Sequence, residues 1–217
     1  MADMLAPLLR GLAVTLELTA ASAAIAVVIA LAAGLARLAP TRWVRWPAAA
    51  YVEVFRGTSA LVQLFWFYFV LPFFGVQLGA FAAGVLVLGL NAGAYGSEVV
   101  RGAILAVPRG QREAAAALNM GRVQTLWRVV LPQAWPAMLP PAGNLAIELL
   151  KNTALVSLIT ITELTFSAQL LRAESLRSAE IFSLVLVLYF LAALAITAGM
   201  RHLERRAARG LAPGAGG

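Results

Sequence analysis

Arg109-Gly-Gln-Arg-Glu-Ala-Ala-Ala-Ala-Leu-Asn-Met-Gly-Arg122, running on to Leu131-Pro132, is the longest stretch of this chain too polar for a bilayer, and long apolar segments lie on both sides of it. After Pro108 the sequence predicts a short helix from Gln111 to Leu118. Its four consecutive alanines, Ala114 to Ala117, combine high helix propensity with almost no side-chain bulk. A helix that smooth can approach another protein's backbone closely. Asn119 breaks it. A chain reversing there needs a left-handed residue at the helix end, which asparagine tolerates best after glycine. A second short helix is expected from Arg122 to Val130, with Leu126, Trp127, Val130 and Leu131 on its apolar side and Pro132 ending it. Two readings fit the stretch: an ordinary interfacial loop with two amphipathic turns, or a docking element for a cytoplasmic partner.

The chain around it reads as membrane protein. Of 217 residues 61% are hydrophobic and only 12% charged, a balance suited to a bilayer. The net charge of +7 does not point to nucleic acid, because the arginines cluster between apolar segments and form no single stripe. With no cysteine there is neither a disulfide framework nor a thiolate metal site. Gly11 to Leu38 is too long for a signal-peptide core and is expected to be a retained first membrane helix. An interfacial loop follows, with Arg37, Arg42 and Arg45 beside Trp43 and Trp46. The second helix is expected over Ala48 to Leu71 and the third over Gly79 to Ala106, where Gly89, Gly93 and Ser97 allow close packing. Trp135 to about Leu150 reads as a fourth helix, with a break at Pro140-Pro141 left open. Thr153 to Phe166 continues it or bends from it, and Ala179 to Met200 is the last. Basic residues then place the polar loop and the C-terminal arginines on one side, with Arg10, Arg172 and Arg177 on the other. The expected fold is an all-α polytopic membrane protein of five transmembrane helices, N-terminus outside and C-terminus inside. Residues 11–204 make one membrane domain and 205–217 a basic tail, disordered from Gly210 onward.

Polar residues inside the apolar segments are the candidates for function. Three acid–base pairs, Glu53/Arg56, Glu98/Arg101 and Glu148/Lys151, share the i, i+3 spacing that puts both partners on one helix face. Mutual neutralisation near the interface accounts for such pairs; Glu148/Lys151 is the strongest functional candidate among them, because it lies deepest in an apolar segment. Glu17 and Glu163 have no partner nearby in sequence, and an unpaired intramembrane acid is a functional candidate by default. Glu17 faces either a translocation path or the outer interface. Asn91, Tyr95 and Glu98 fall on one face of the third helix and offer donors and acceptors for a zwitterionic solute, or bonds between helices. Thr153 and Ser157 share a face too, or bond back to their own helix carbonyls.

The polar stretch and its flanks resemble a known family. Glu113-Ala114-Ala115, a break six residues after the glutamate, and Leu131-Pro132 resemble the EAA loop of the membrane subunits of bacterial ABC importers. Arg56-Gly57-Thr58, Gln63-Leu64-Phe65, Gly93-Ala94-Tyr95, Glu98, Arg101-Gly102, Val107-Pro108, Gly110-Gln111 and Leu149-Leu150-Lys151-Asn152-Thr153 look like its polar amino-acid uptake branch, which takes up histidine, glutamate, glutamine, arginine or opines. The resemblance covers about residues 11 to 204. It implies a type I importer fold whose coupling helices (Gly110, Gln111, Glu113, Ala114, Ala115, Asn119, Leu131 and Pro132) fit a groove on a cytoplasmic ATPase. It also adds Gln63 to the solute-path candidates Glu17, Asn91, Tyr95, Glu98, Thr153 and Ser157. The implied partners are two ATPase subunits, a second permease copy or close relative, and an extracytoplasmic substrate-binding protein, in a bacterial cytoplasmic membrane. Two departures from the family pattern stand out. Asn119 occupies the usual loop glycine position, and Ser59 the usual proline after Arg-Gly-Thr.

Catalysis is not encoded in these residues. Lys151 follows Glu-Leu-Leu and sits in no glycine-rich phosphate cradle. His202, the single histidine, stands among the C-terminal basic residues that begin at Arg201, away from any triad or metal cluster. The expectation is a transport subunit without cofactor, with ATP and Mg2+ on a separate chain. The rivals are an ion-coupled secondary transporter, which calls for inverted repeats, and a non-transporting scaffold, which does not need unpaired intramembrane acids.

Overall fold

The computed structural model describes residues 2–209, with side-chain surroundings over 4–207. The stretch from Gly210, expected to be disordered, lies outside the described residues. Nine α-helices and no strand occur among those described: α1 (Ala2–Ala36), α2 (Arg42–Gly57), α3 (Ala60–Phe65), α4 (Ala80–Ala106), α5 (Arg109–Ala117), α6 (Arg122–Thr125), α7 (Leu131–Asn152), α8 (Leu164–Ser175) and α9 (Ser178–Arg209).

Small residues set the central packing. A Cβ on Gly89 would stand 2.8 Å from Ile25, one on Gly93 2.8 Å from Ile29, and one on Gly34 2.8 Å from Val100. Contacts that advance together along both helices make α1 and α4 a parallel pair. Without water between helices, such close van der Waals fit is what holds them together in lipid. The stripe expected at Gly89, Gly93 and Ser97 therefore packs as its spacing implies.

Apolar clusters mark the two ends of the bundle. Ala30, Val100, Ile104, Val107, Val130, Ala134 and Met138 pack where α1 and α4 finish and the polar loop begins. Met4, Leu8, Leu164, Ala168, Ile181 and Val185 pack at the other end. Helix α9 starts in that far cluster, and its Leu203 shares a cleft with Trp135 and Met138. Its basic C-terminal turns thus belong to the loop end.

Three helices are long and apolar enough to cross a bilayer alone: Met4–Ala36, Ala80–Ala106 and Ser178–Ala207. Two bent pairs are long and apolar enough only when taken together, Arg42–Gly57 with Ala60–Phe74 (106°) and Arg122–Ile159 with Leu164–Ser175 (52°), each a broken span or a re-entrant loop. Counting each pair once gives five.

Several boundaries differ from expectation. The second helix is not continuous from Ala48 to Leu71. It begins at Arg42, inside the expected loop, and breaks at Thr58-Ser59, both in extended backbone. Pro132 does not end the second loop helix. Pro72 and Pro132 each follow a π turn, Trp66–Val70 and Leu126–Val130, closed by Leu71 N–H to the Trp66 carbonyl and Leu131 N–H to the Leu126 carbonyl. A proline lacks the N–H for the i−4 bond and crowds that carbonyl; widening the preceding turn by one residue relieves both. After Pro132 the helix continues as α7, whereas after Pro72 only a 3-10 turn to Phe74 follows before left-handed Gly75. The extra residue also shifts the helical phase. Leu126, Val130 and Leu131 face the core, whereas Trp127 is 62% exposed. Helix α7 runs unbroken through Pro140 and Pro141, and its break comes later, in a 3-10 turn (Thr153–Ile159) that ends at left-handed Thr160. The last helix continues past Met200 to Arg209.

Candidate functional site

The loop forms a compact projection at one end of the bundle. Helix α5 closes in a Schellman turn: Asn119 N–H donates to the Ala116 carbonyl (2.9 Å) and Met120 N–H to that of Ala115 (3.0 Å). Asn119 has φ 55°, the left-handed conformation expected at that helix end. Arg112 reaches back to the Ile104 carbonyl (2.7 Å) near the end of α4, and Gln133 donates to Gln111 (3.2 Å), tying α5 to α7. Ala115 is 2% exposed, which corrects the picture of a uniformly smooth outer face. It packs inward, under the turn that Met120 closes. The outward face consists of Gly110, Glu113, Ala114, Ala116 and Ala117, continued by exposed Leu118, Val123 and Trp127. A shallow apolar face beside Arg109, Arg122 and Arg128 suits a protein groove better than lipid.

A second polar group lies where α1, α2 and α4 meet. Glu98 accepts from Arg37 Nη1 (2.7 Å), Arg56 Nη1 (3.0 Å) and Arg101 Nε (3.0 Å). Only one of the three expected i, i+3 pairs therefore forms. Arg56 bypasses Glu53 for Glu98 on the neighbouring α4, and its guanidinium lies over the Tyr95 ring (5.4 Å to the centroid). Glu148 and Lys151 are both exposed and make no ion pair among the described residues. Glu148 instead joins Asn91, Tyr95 and Asn152 in a narrow crevice between α4 and α7. Glu148, the acid of the strongest candidate pair, stands here without Lys151, and Arg37 and Asn152 are not among the solute-path candidates. Only the side-by-side run of α1, α4 and α7 brings them to this place.

Gln63 and Asn91 sit together and hold the bend. Asn91 donates to Gln63 Oε1 (3.1 Å) and to the Phe55 carbonyl (3.0 Å), while Gln63 donates to the Phe55 carbonyl (2.9 Å) and Thr58 Oγ1 (2.7 Å). Two buried amides thus satisfy the carbonyl that the end of α2 leaves free, beside Ser59. Thr153 and Ser157 are buried and bond back to the carbonyls of Leu150 and Ala154, each at 2.7 Å. Glu17 is exposed on α1, apart from the crevice and the arginine cluster.

Glu163 proves to be partnered from afar. Fully buried, it caps α8 by accepting from Thr165 N–H (2.9 Å) and Phe166 N–H (2.8 Å), and it also accepts from Tyr189 of α9 (3.0 Å) and Thr15 of α1 (3.4 Å). Its surroundings are complete without a ligand. Glycine at position 11 makes room for it, since a Cβ there would stand 2.6 Å from Ser167 Oγ.

Comparison with known proteins adds to this geometry. The family described as binding-protein-dependent transport system inner membrane component matches residues 20–209. The chain is 47% identical to the probable amino-acid ABC transporter permease protein y4tF of Sinorhizobium fredii (strain NBRC 101917 / NGR234), over 95% of this chain and 90% of that one. It is 39% identical to the glutamine transport system permease protein GlnP of Escherichia coli (strain K12), over 92% of both. A crystal structure of an amino acid ABC transporter with histidines superposes with a TM-score of 0.88 at 35% identity, covering 95% of this chain and 96% of that chain.

Proposed function

The chain belongs to the family of binding-protein-dependent transport system inner membrane components and is the permease subunit of an ABC transporter; from that premise we propose that it imports a polar amino acid or similar small zwitterion. The observation that carries this reading is the loop from Arg109 to Pro132. It is a capped projection whose outward face carries short alanine and glycine positions beside Glu113, continued by Leu118, Val123 and Trp127, at the end of the bundle where α1 and α4 finish. Such a face suits docking to an ATPase that binds ATP and Mg2+ itself, with Gly110, Gln111, Glu113 and Ala114 meeting its groove. Ala115, Asn119, Leu131 and Pro132 shape the loop from within. The working assembly pairs this chain with a second permease, two ATPase subunits inside and a substrate-binding protein outside. Residues 11–204 form the transport domain in a bacterial cytoplasmic membrane, and the arginines beyond serve as a basic tail.

The narrow crevice of Asn91, Tyr95, Glu148 and Asn152, at about 10 Å³ too small for an amino acid itself, flanks the stretch of the path that meets solute. An ammonium finds Glu148 and a carboxylate finds the Asn152 amide and the Tyr95 phenol, the Asn91 N–H donors being spent on Gln63 and the Phe55 carbonyl. Glu98, held by three arginines, shapes this path rather than standing free in it. Gln63, Thr153 and Ser157 fix its walls. Glu17 faces outward from the bundle, toward lipid or the partner permease. The test is uptake of labelled amino acids into proteoliposomes holding the whole complex, with ATP inside and the binding protein outside. Glu148→Gln is expected to lower uptake without loss of complex. Uptake of sugars or inorganic ions in place of amino acids would overturn the reading.

A further inference from the structure

Four arginines gather around two glutamates where α1, α2 and α4 meet: Arg37, Arg45, Arg56 and Arg101 against Glu53 and Glu98. Two positive charges are left over. Beside them lies a cavity of about 450 Å³ lined by Arg37, Arg45, Trp46, Glu53 and Arg101, but not by Arg56 or Tyr95. Arg37 and Arg101 each turn one nitrogen to Glu98. Arg45, half-buried, has no acceptor among the described residues, and neither do the terminal nitrogens of Arg101. Unspent, partly desolvated guanidinium donors converging on a cavity call for an anion with several oxygens.

The cavity's place in the bundle selects the anion. Helices α1 and α4 run parallel with Gly34 against Val100, so Arg37 and Arg101 lie at one level, near the loop end. Helix α2 starts there and is bent by 106° from the segment that follows it. Trp43 and Trp46, 88% and 72% exposed, stand beside Arg42 and Arg45 as paired aromatic and basic anchors do at a bilayer surface. We propose that this cavity binds the headgroup phosphate of an anionic phospholipid of the cytoplasmic leaflet, with Arg45 and Arg101 as its ligands and Trp46 packing against the lipid. Headgroup binding fixes α2 against α1 and α4.

Lipid retention tests this without solute, ATP or ATPase, so its failure leaves the transport reading standing. The purified permease is released from phosphatidylcholine nanodiscs containing some phosphatidylglycerol, and retained lipid is counted by native mass spectrometry. Wild type is expected to retain phosphatidylglycerol preferentially. Arg45→Gln should weaken that preference about fivefold, the factor one arginine contributes at an anionic surface. Arg45→Lys should largely restore it, Trp46→Ala should weaken it at unchanged charge, and Arg205→Gln should leave it alone. Thermal unfolding of each variant establishes that the fold is intact. Equal retention of both lipids by wild type, or equal losses in Arg45→Gln and Arg205→Gln, would overturn the proposal. Displacement of the lipid by inorganic phosphate would do so too, by showing a free-anion site.

Discussion

Replacing Asn119 tests the loop at its most constrained backbone position. Asn119 has φ 55°, and the two hydrogen bonds that close α5 exist only with the residue in this conformation. An L-residue pays roughly 1–2 kcal/mol there, most for a β-branched side chain, and glycine nothing. Asn119→Val should therefore shift the loop toward unclosed forms by a factor of about 5–30, and Asn119→Gly should leave it closed. Asn119 is exposed and far from the apolar spans, so membrane insertion and yield should match wild type. The assay is co-purification of the ATPase with each variant, alongside binding-protein-stimulated ATP hydrolysis. The valine variant should lose ATPase by a similar factor and the glycine variant should behave as wild type. Equal association of the two with the ATPase would refute the link from backbone conformation to docking.

Other substitutions separate packing from contact. Ala115→Trp places an indole where the side chain is 2% exposed and should destabilise the loop itself by about 1–3 kcal/mol, seen as faster proteolysis between Arg109 and Arg122. Ala114→Trp, on the outward face, should leave proteolysis unchanged and reduce only ATPase association. Glu163→Ala removes an N-cap and strands buried donors, so thermal unfolding in detergent should drop by the equivalent of about 2 kcal/mol or more, whereas Glu163→Gln, which keeps an acceptor, should lose less. Cysteine at Leu176, exposed at the far end, should label from outside the cell, and cysteine at Gln124 only from inside; the opposite pattern would invert the topology.

Much of the fold was legible because its signals are local. Apolar run length gave the spans, the Gly89–Gly93 spacing gave the close helix pair, and the need to reverse direction gave Asn119 its left-handed backbone. What was not legible depends on neighbours distant in the chain. Glu163 looked unpaired because Thr15 and Tyr189 lie on other helices. Arg56 looked paired with Glu53 because the packing of α2 on α4 that brings it to Glu98 joins residues distant in the chain. Pro132 misled for a local reason: it does break the regular bonding pattern, but a π turn absorbs the break and α7 runs on, whereas Pro72 does stand near the end of its helix, two residues before Phe74. Ala115 was assigned to the outer face because a run of identical alanines carries no sign of which side is buried.

The central claim is that solute recognition outside reaches an ATPase inside through this chain's loop. Its most direct measurement is the ATP hydrolysis rate of the reconstituted complex, with and without amino-acid-loaded binding protein, in wild type and Ala114→Trp. The expected result is a rate that rises with loaded binding protein in wild type and stays at the unstimulated level in Ala114→Trp. Hydrolysis that responds equally in both would contradict the claim.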